Sequence, residues 1–156
     1  MWSFPEPEYE QVLTASWTLG ESVQVASSDL PDPWRNALHR LGRDLHVRHY
    51  AGTIDRIDWV ARYDALNGGV MLLSSVTVAG RGPDGLGMSG CVPQLVDDEE
   101  TILACIADLI QDQVARAHVA WPWRDTGGFM SAELHEGRAV WSDNGRRIAI
   151  GQLKPK

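Results

Sequence analysis

His46 and His49, three residues apart in "HVRHY", are the first residues whose spacing could do chemistry. On a helix they could share a metal ion, but along a strand this spacing sends them to opposite faces. No third ligand follows at a chelating spacing and no His-Glu-x-x-His pattern occurs, so no metal site is expected. As acid–base groups, His46 and His49 would need an orienting carboxylate, for which Asp58 and Asp125 are the candidates. Asp108 and Asp112 stand at i, i+4 on a predicted helix, with Arg116 one turn further on. That pattern reads as a solvated, partly neutralised face, and would support acid–base work only if turned into a cleft.

Two glycine-rich patterns come close to known chemistry and fall short of it. Gly80, Gly82 and Gly85 have the spacing G-x-G-x-x-G, but a dinucleotide site needs the last glycine to open a helix. Pro83 interrupts the run and the next helix begins well beyond it, so the segment reads as a connecting loop and no cofactor is expected. A lid or partner-binding role for the loop around Gly85 is the functional reading that remains. Gly87-Met88-Ser89-Gly90-Cys91 resembles a nucleophile elbow, with Cys91 where the second glycine belongs. Neither a strand before it nor a helix directly after it is predicted, and nothing brings a histidine to Ser89 or Cys91. No catalytic residue is assigned.

The segment "WPWRDTGG" poses a different question. Pro122 cannot continue a helix and biases Trp121 toward extended geometry, while Gly127-Gly128 lets the chain turn. A helix stop with two tryptophans covering the core explains it. The functional reading is that Trp123 and Arg124 are exposed, because Trp and Arg are the residue types most often found at binding hot spots.

The elements that must position these groups can be read from periodicity. Residues 9–19 fit either a helix or a strand, and Thr and Trp tip the balance to strand. "SVQVAS" pairs back onto it. "DPWRNALHRLG" is a short helix with Asp32 as cap, Pro33 first and Gly42 just past its end, burying Trp34, Leu38 and Leu41. "DLHVRHY" is read as a strand. "RIDWVARY" and "VMLLSSVTV" are two strands joined through Asn67-Gly68-Gly69, with a helix over 53–66 as the competing reading. The clearest element is a helix from about Asp97 to Ala120, its acidic start matching the helix dipole and its apolar face interrupted by Gln113. That amide should bond a buried backbone group or meet a partner. Cys105 lies beside the same face as a packing thiol. "FMSAELH", "RAVWS" and "RRIAIGQL" then form a meander, the last two joined by Asn144-Gly145, a strong hairpin signal. The pattern implies an α+β fold in a single domain spanning 1–156, mainly an antiparallel sheet with one long helix in the second half.

Composition limits the function classes. A chain of 156 residues buries roughly 68–70% of its unfolded surface, so a core forms without disulfide or metal. The net charge of −7 disfavours nucleic acid and anionic membranes, both of which need clustered cations. Lysine occurs only as Lys154 and Lys156, which leaves no body lysine for a Schiff base or a phosphate loop. The opening residues lack a basic and apolar leader and no run is long enough to span a bilayer, so a reduced, cytoplasmic location is expected.

"CIADLIQDQVARAHVAWPW" followed by "LHEGRAVWSDNGRRIAIGQL" resembles the helix, Trp-Pro turn and C-terminal hairpin of small actinobacterial proteins. The resemblance implies a shared layout over about a third of the chain and no activity. The sequence thus points to a non-enzymatic interaction protein, such as a regulator, an accessory or chaperone-like subunit, or an immunity-type inhibitor. Its partner would be another protein, or a second copy in a homo-oligomer. Trp121, Trp123, Arg124 and Gly85 are the candidate binding residues. The rival reading is a small enzyme or ligand-binding domain with a Trp-lined pocket and His46 or His49 as acid–base groups.

Overall fold

The computed structural model describes residues 9–83, 93–95 and 97–155. Gly85, Ser89 and Cys91 therefore lie outside the described residues.

Alternation of apolar and polar side chains builds the larger sheet. Strands β1 (Tyr9–Thr18), β2 (Gln24–Ser28), β3 (Ile54–Asp64), β4 (Val70–Val78) and the two-residue β5 (Gly82–Pro83) are ordered β2-β1-β3-β4-β5, every pairing antiparallel. Leu13, Ala15 and Trp17 on β1 and Ile57, Trp59 and Ala61 on β3 send their side chains to one buried face, as period two requires. The competing helix over 53–66 is not formed.

Helix α1 (Asp32–Asp44) begins one residue earlier than expected, after Pro31, and runs through Gly42 to Asp44. Gly42 is therefore a packing glycine inside the helix and no terminator. A Cβ there would meet Val23 Cγ2 at 2.5 Å, so its absence lets the chain entering β2 lie directly on the helix. Trp34, Leu38 and Leu41 form the buried face as predicted.

Helix α2 (Glu99–Arg116) packs against α1, β4 and the small sheet. Asp98 caps it by accepting from the Thr101 amide at 2.8 Å, with Glu99 and Glu100 in the first turn. It ends four residues before Ala120, and Pro122 does not stop it. His118 adopts φ 64°, its amide donating to Ala115 O at 3.0 Å and the Val119 amide to Val114 O at 2.9 Å. These two bonds satisfy the last carbonyls in a Schellman motif, with histidine at the position glycine usually takes.

The meander is present as β6 (Ser131–His135), β7 (Arg138–Asp143) and β8 (Arg146–Ala149), joined by turns whose Glu136 and Asn144 have positive φ. The fold is α+β, with one five-stranded and one three-stranded antiparallel sheet. Among the described residues no helix is long and apolar enough to cross a membrane.

Two sequence expectations are corrected. "DLHVRHY" is not a strand; after α1 the chain turns, and only Tyr50 makes a bridge, to Ala120. The Leu45 and Val47 amides are spent on Leu41 O and Asp44 O at the end of α1, and Arg48 has a left-handed φ of 65°, so no continuous ladder forms. Cys105 is disulfide-bonded and not a free packing thiol.

Candidate functional site

The non-helical chain after α1 is held by an unusual set of contacts. The Tyr50 amide donates to Ala120 O and the Ala120 amide to Tyr50 O, both at 2.9 Å, and the Trp123 amide donates to Arg48 O at 2.9 Å. The Arg48 guanidinium returns to Trp123 O at 2.9 Å and Asp125 Oδ1 at 3.0 Å, and its Nε donates to Lys154 O at 2.7 Å. This pairing lays the Trp123 ring flat on that of Tyr50, centroids 3.8 Å apart and planes within 6°. Trp123 also bridges to Phe129 across a tight loop closed by the Arg124 amide donating to Gly128 O at 2.7 Å.

Gln111 fixes the opposite wall. Its Nε2 donates to Trp121 O and Met130 O, and its Oε1 accepts from the Ala132 amide at 3.0 Å. One side chain on α2 thus replaces the backbone partners that the turn and the start of β6 would otherwise lack. Arg81, in the turn between β4 and β5, donates to Ala117 O at 2.9 Å and Ala51 O at 2.8 Å, clamping the helix end to the 50–51 segment.

Between these walls lies a cleft of about 500 Å³. Tyr50, Trp121, Trp123 and Phe129 supply its aromatic surface, and Asp108, Gln111 and Asp112 its polar edge along α2. His118, Ala51 and Val119 close it at the helix end. Partial burial beside the cleft pushes the Asp108 carboxyl above its ordinary range, and the Asp112 charge pushes the same way. Phe129 and Tyr50 are 56% and 51% exposed, so two of the five large hydrophobic residues left exposed among the described ones border this cleft.

The backbone around the cleft is strained. Five described non-glycine residues have positive φ. Glu136 and Asn144 occupy hairpin turns that demand it, but Arg48, Ala51 and His118 all flank the cleft. Such strain persists only where surrounding bonds over-determine it, and it concentrates at functional sites.

The sequence candidates are placed unequally. Trp123 belongs to the cleft wall. Trp121 is 1% exposed and mainly core: its indole N–H points at Asp44 O (3.1 Å) and Val47 O (2.9 Å), and its ring meets that of Trp141 edge-on. Arg124 is half-buried, its Nε 3.2 Å from Asp143 Oδ1 in an ion pair without a well-aligned hydrogen bond. It supports the loop and does not face the cleft.

The acid–base set of the rival reading does not converge. His46 is at a separate, smaller cavity, facing the Trp17 indole N–H at 3.4 Å and the Gly20 amide at 3.2 Å. His49 Nδ1 accepts from the Ile54 amide at 3.0 Å while its Nε2 donates to Leu45 O, which uses up both nitrogens. Asp58 pairs with Arg56 and Asp125 with Arg48. Among the described residues no group of three or more His, Cys, Asp or Glu is arranged to hold a metal. Asp108 and Asp112, read from sequence as a solvated face, do border a cleft. Tyr50, Gln111 and Phe129 were missed, and nothing in their sequence neighbourhoods brings Tyr50 to Trp123 across more than seventy positions.

No family model, curated protein or solved structure matches this chain, and nothing in those comparisons bears on the actinobacterial resemblance.

Proposed function

We propose that this protein works by binding another polypeptide, and that the aromatic cleft between α2 and the 118–131 segment is its recognition surface. The observation that carries this reading is the concentration of exposed aromatic surface there. Phe129 and Tyr50 stand half in water at the rim, beside a stacked Trp123, where a partner could bury them. Aromatic rings held by backbone pairing lose little freedom on binding, so their burial contributes to affinity with a small entropic cost.

The acid–base alternative is weaker because His46, His49, Asp58 and Asp125 are dispersed and each is engaged in local structure. A cytoplasmic location was expected from sequence; the disulfide at Cys105 favours an oxidising compartment instead.

Site-specific photo-crosslinking tests the reading. A photoreactive phenylalanine analogue replaces Phe129 in one variant and the remote, 89% exposed Leu66 in another. A polypeptide crosslinked from native lysate at 129 and not at 66 supports the proposal, and a dimer of this chain would identify a second copy as the partner. No polypeptide adduct at 129 overturns it.

A further inference from the structure

We infer that the partner segment seated in this cleft is a neutral, proline-rich one in the polyproline II conformation, an inference that rests on the interaction reading above. The cleft wall has little backbone to offer a visiting strand. The amides of Tyr50, Ala120, Trp123 and Met130 already donate, and the carbonyls of the same four residues and of Trp121 already accept. Strand addition needs a row of free backbone groups, so recognition falls to side chains. Two of these are unspent. Among the described residues nothing accepts from the Tyr50 hydroxyl or the Trp123 indole N–H, and Tyr50 is exposed and Trp123 half-buried.

What the wall leaves over defines the occupant. It offers aromatic surface and donor hydrogens, so the occupant must bring apolar surface and free acceptors. A helical segment spends its carbonyls internally. An ordinary extended segment frees its carbonyls but also carries amides, which would lose water against aromatic rings and find no acceptor there. A polyproline II segment makes no internal hydrogen bonds, so its carbonyls stand free, and each proline removes one such amide. Its stiff backbone also loses little freedom on binding. Charge complementarity agrees. No arginine or lysine is among the described residues lining the cleft, while Asp108 and Asp112 border it, so it attracts no acidic segment. Both carboxylates are on the exposed side of α2 and stay in water when the aromatic wall is covered.

The test uses the intact protein with two neutral probes of equal length, acetyl-hexaproline-amide and an acetylated, amidated peptide of alternating alanine and glycine. Binding is read from nuclear magnetic resonance shifts of the Trp123 indole N–H and of the amide of Ala115, which also lines the cleft. Hexaproline should bind saturably, and the alanine–glycine peptide about tenfold more weakly or worse. Tyr50→Phe and Trp123→Phe each keep an aromatic ring and remove one donor, so both should fold normally. Read at the Ala115 amide, each should lose about threefold to tenfold in affinity for hexaproline, the loss of one hydrogen bond. The remote Leu66→Ala should lose nothing. Equal binding of the two peptides overturns the polyproline occupant while leaving the cleft as a peptide site. Undiminished binding of hexaproline by both phenylalanine variants overturns the donor-to-carbonyl recognition on which the inference stands. Absence of any shift with hexaproline overturns the inference outright, whereas crosslinking at 129 decides the interaction reading separately.

Discussion

The Trp123 indole and the Tyr50 phenol ring stack with centroids 3.8 Å apart, although the residues are on segments that share no sheet. The stack rests on backbone pairing of 48–50 with 120–123 and forms one wall of the cleft. Rings in such contact should couple energetically. A double-mutant cycle of Tyr50→Ala and Trp123→Ala, followed by urea denaturation, should give a coupling of about 0.5–1.5 kcal/mol. Strict additivity would mean that the stack adds nothing beyond the burial of each ring.

Asp44 is the polar centre that holds the C-terminal turn to α1. Only 1% exposed, its carboxylate accepts from Trp141 Nε1 at 2.7 Å, the Gly151 amide at 2.6 Å and the Leu153 amide at 3.1 Å. Burial pushes its carboxyl above the ordinary range against the pull of these donors. Asp44→Ala strands three donors and should destabilise the fold by about 3 kcal/mol or more, since each stranded group costs about 1–3 kcal/mol. Chemical denaturation measures the loss, and the Trp141 indole N–H resonance should move with it.

His49 should make stability fall on acidification. Burial holds its pKa below the ordinary 6.5, and His46 lowers it further, while its bond to Leu45 and the charge of Asp55 pull the other way. Protonation would also cost the bond that Nδ1 accepts from the Ile54 amide. Below pH 6.5 the unfolded chain takes up a proton that the folded chain refuses. The contribution is therefore complete above 6.5 and is lost as pH falls toward the depressed folded value, at up to about 1.4 kcal/mol per pH unit. His49→Gln, which keeps one donor and one acceptor, should flatten this segment of the stability–pH curve. An unchanged slope would assign the acid sensitivity to other groups.

Ala51 adopts φ 68° at the cleft edge, where an L side chain is strained by about 1–2 kcal/mol. Ala51→Gly should relieve that strain and raise stability by about 0.5–1 kcal/mol after the greater freedom of the unfolded glycine is counted. Thermal melting checks the direction. A loss of stability would show that the methyl group packs usefully in the cleft wall.

The disulfide at Cys105 should be visible chemically. Unfolded, unreduced protein treated with an alkylating agent should yield an unmodified Cys105 peptide, and prior reduction should make it fully modified. Alkylation without reduction would restore the thiol expected from sequence.

Local physics made much of the fold legible in the sequence alone. Period-two burial marked β1, β3 and β4, a 3.6-residue apolar face with an acidic start marked α2, and Asn144-Gly145 marked the last hairpin. These features depend on neighbours within a few positions, and any alternative arrangement would expose the apolar face. Asp108 and Asp112 could be paired from their spacing for the same reason. Other features depended on contacts no local pattern encodes. His118 ends α2 where Pro122 was expected to, because two backbone bonds and the Arg81 clamp on Ala117 O fix its left-handed conformation. Gln113 was expected to bond a buried backbone group or to meet a partner; among the described residues its buried Nε2 has no hydrogen-bond partner, so the first of these is not met. The cleft itself is a tertiary product. Tyr50, Gln111, Trp123 and Phe129 meet only because backbone pairing of 48–50 with 120–123 and the Gln111 side chain bring separate segments to one end of α2. Sequence determined which faces must be buried; only the folded chain decided which aromatic rings were left over at one edge, next to two carboxylates.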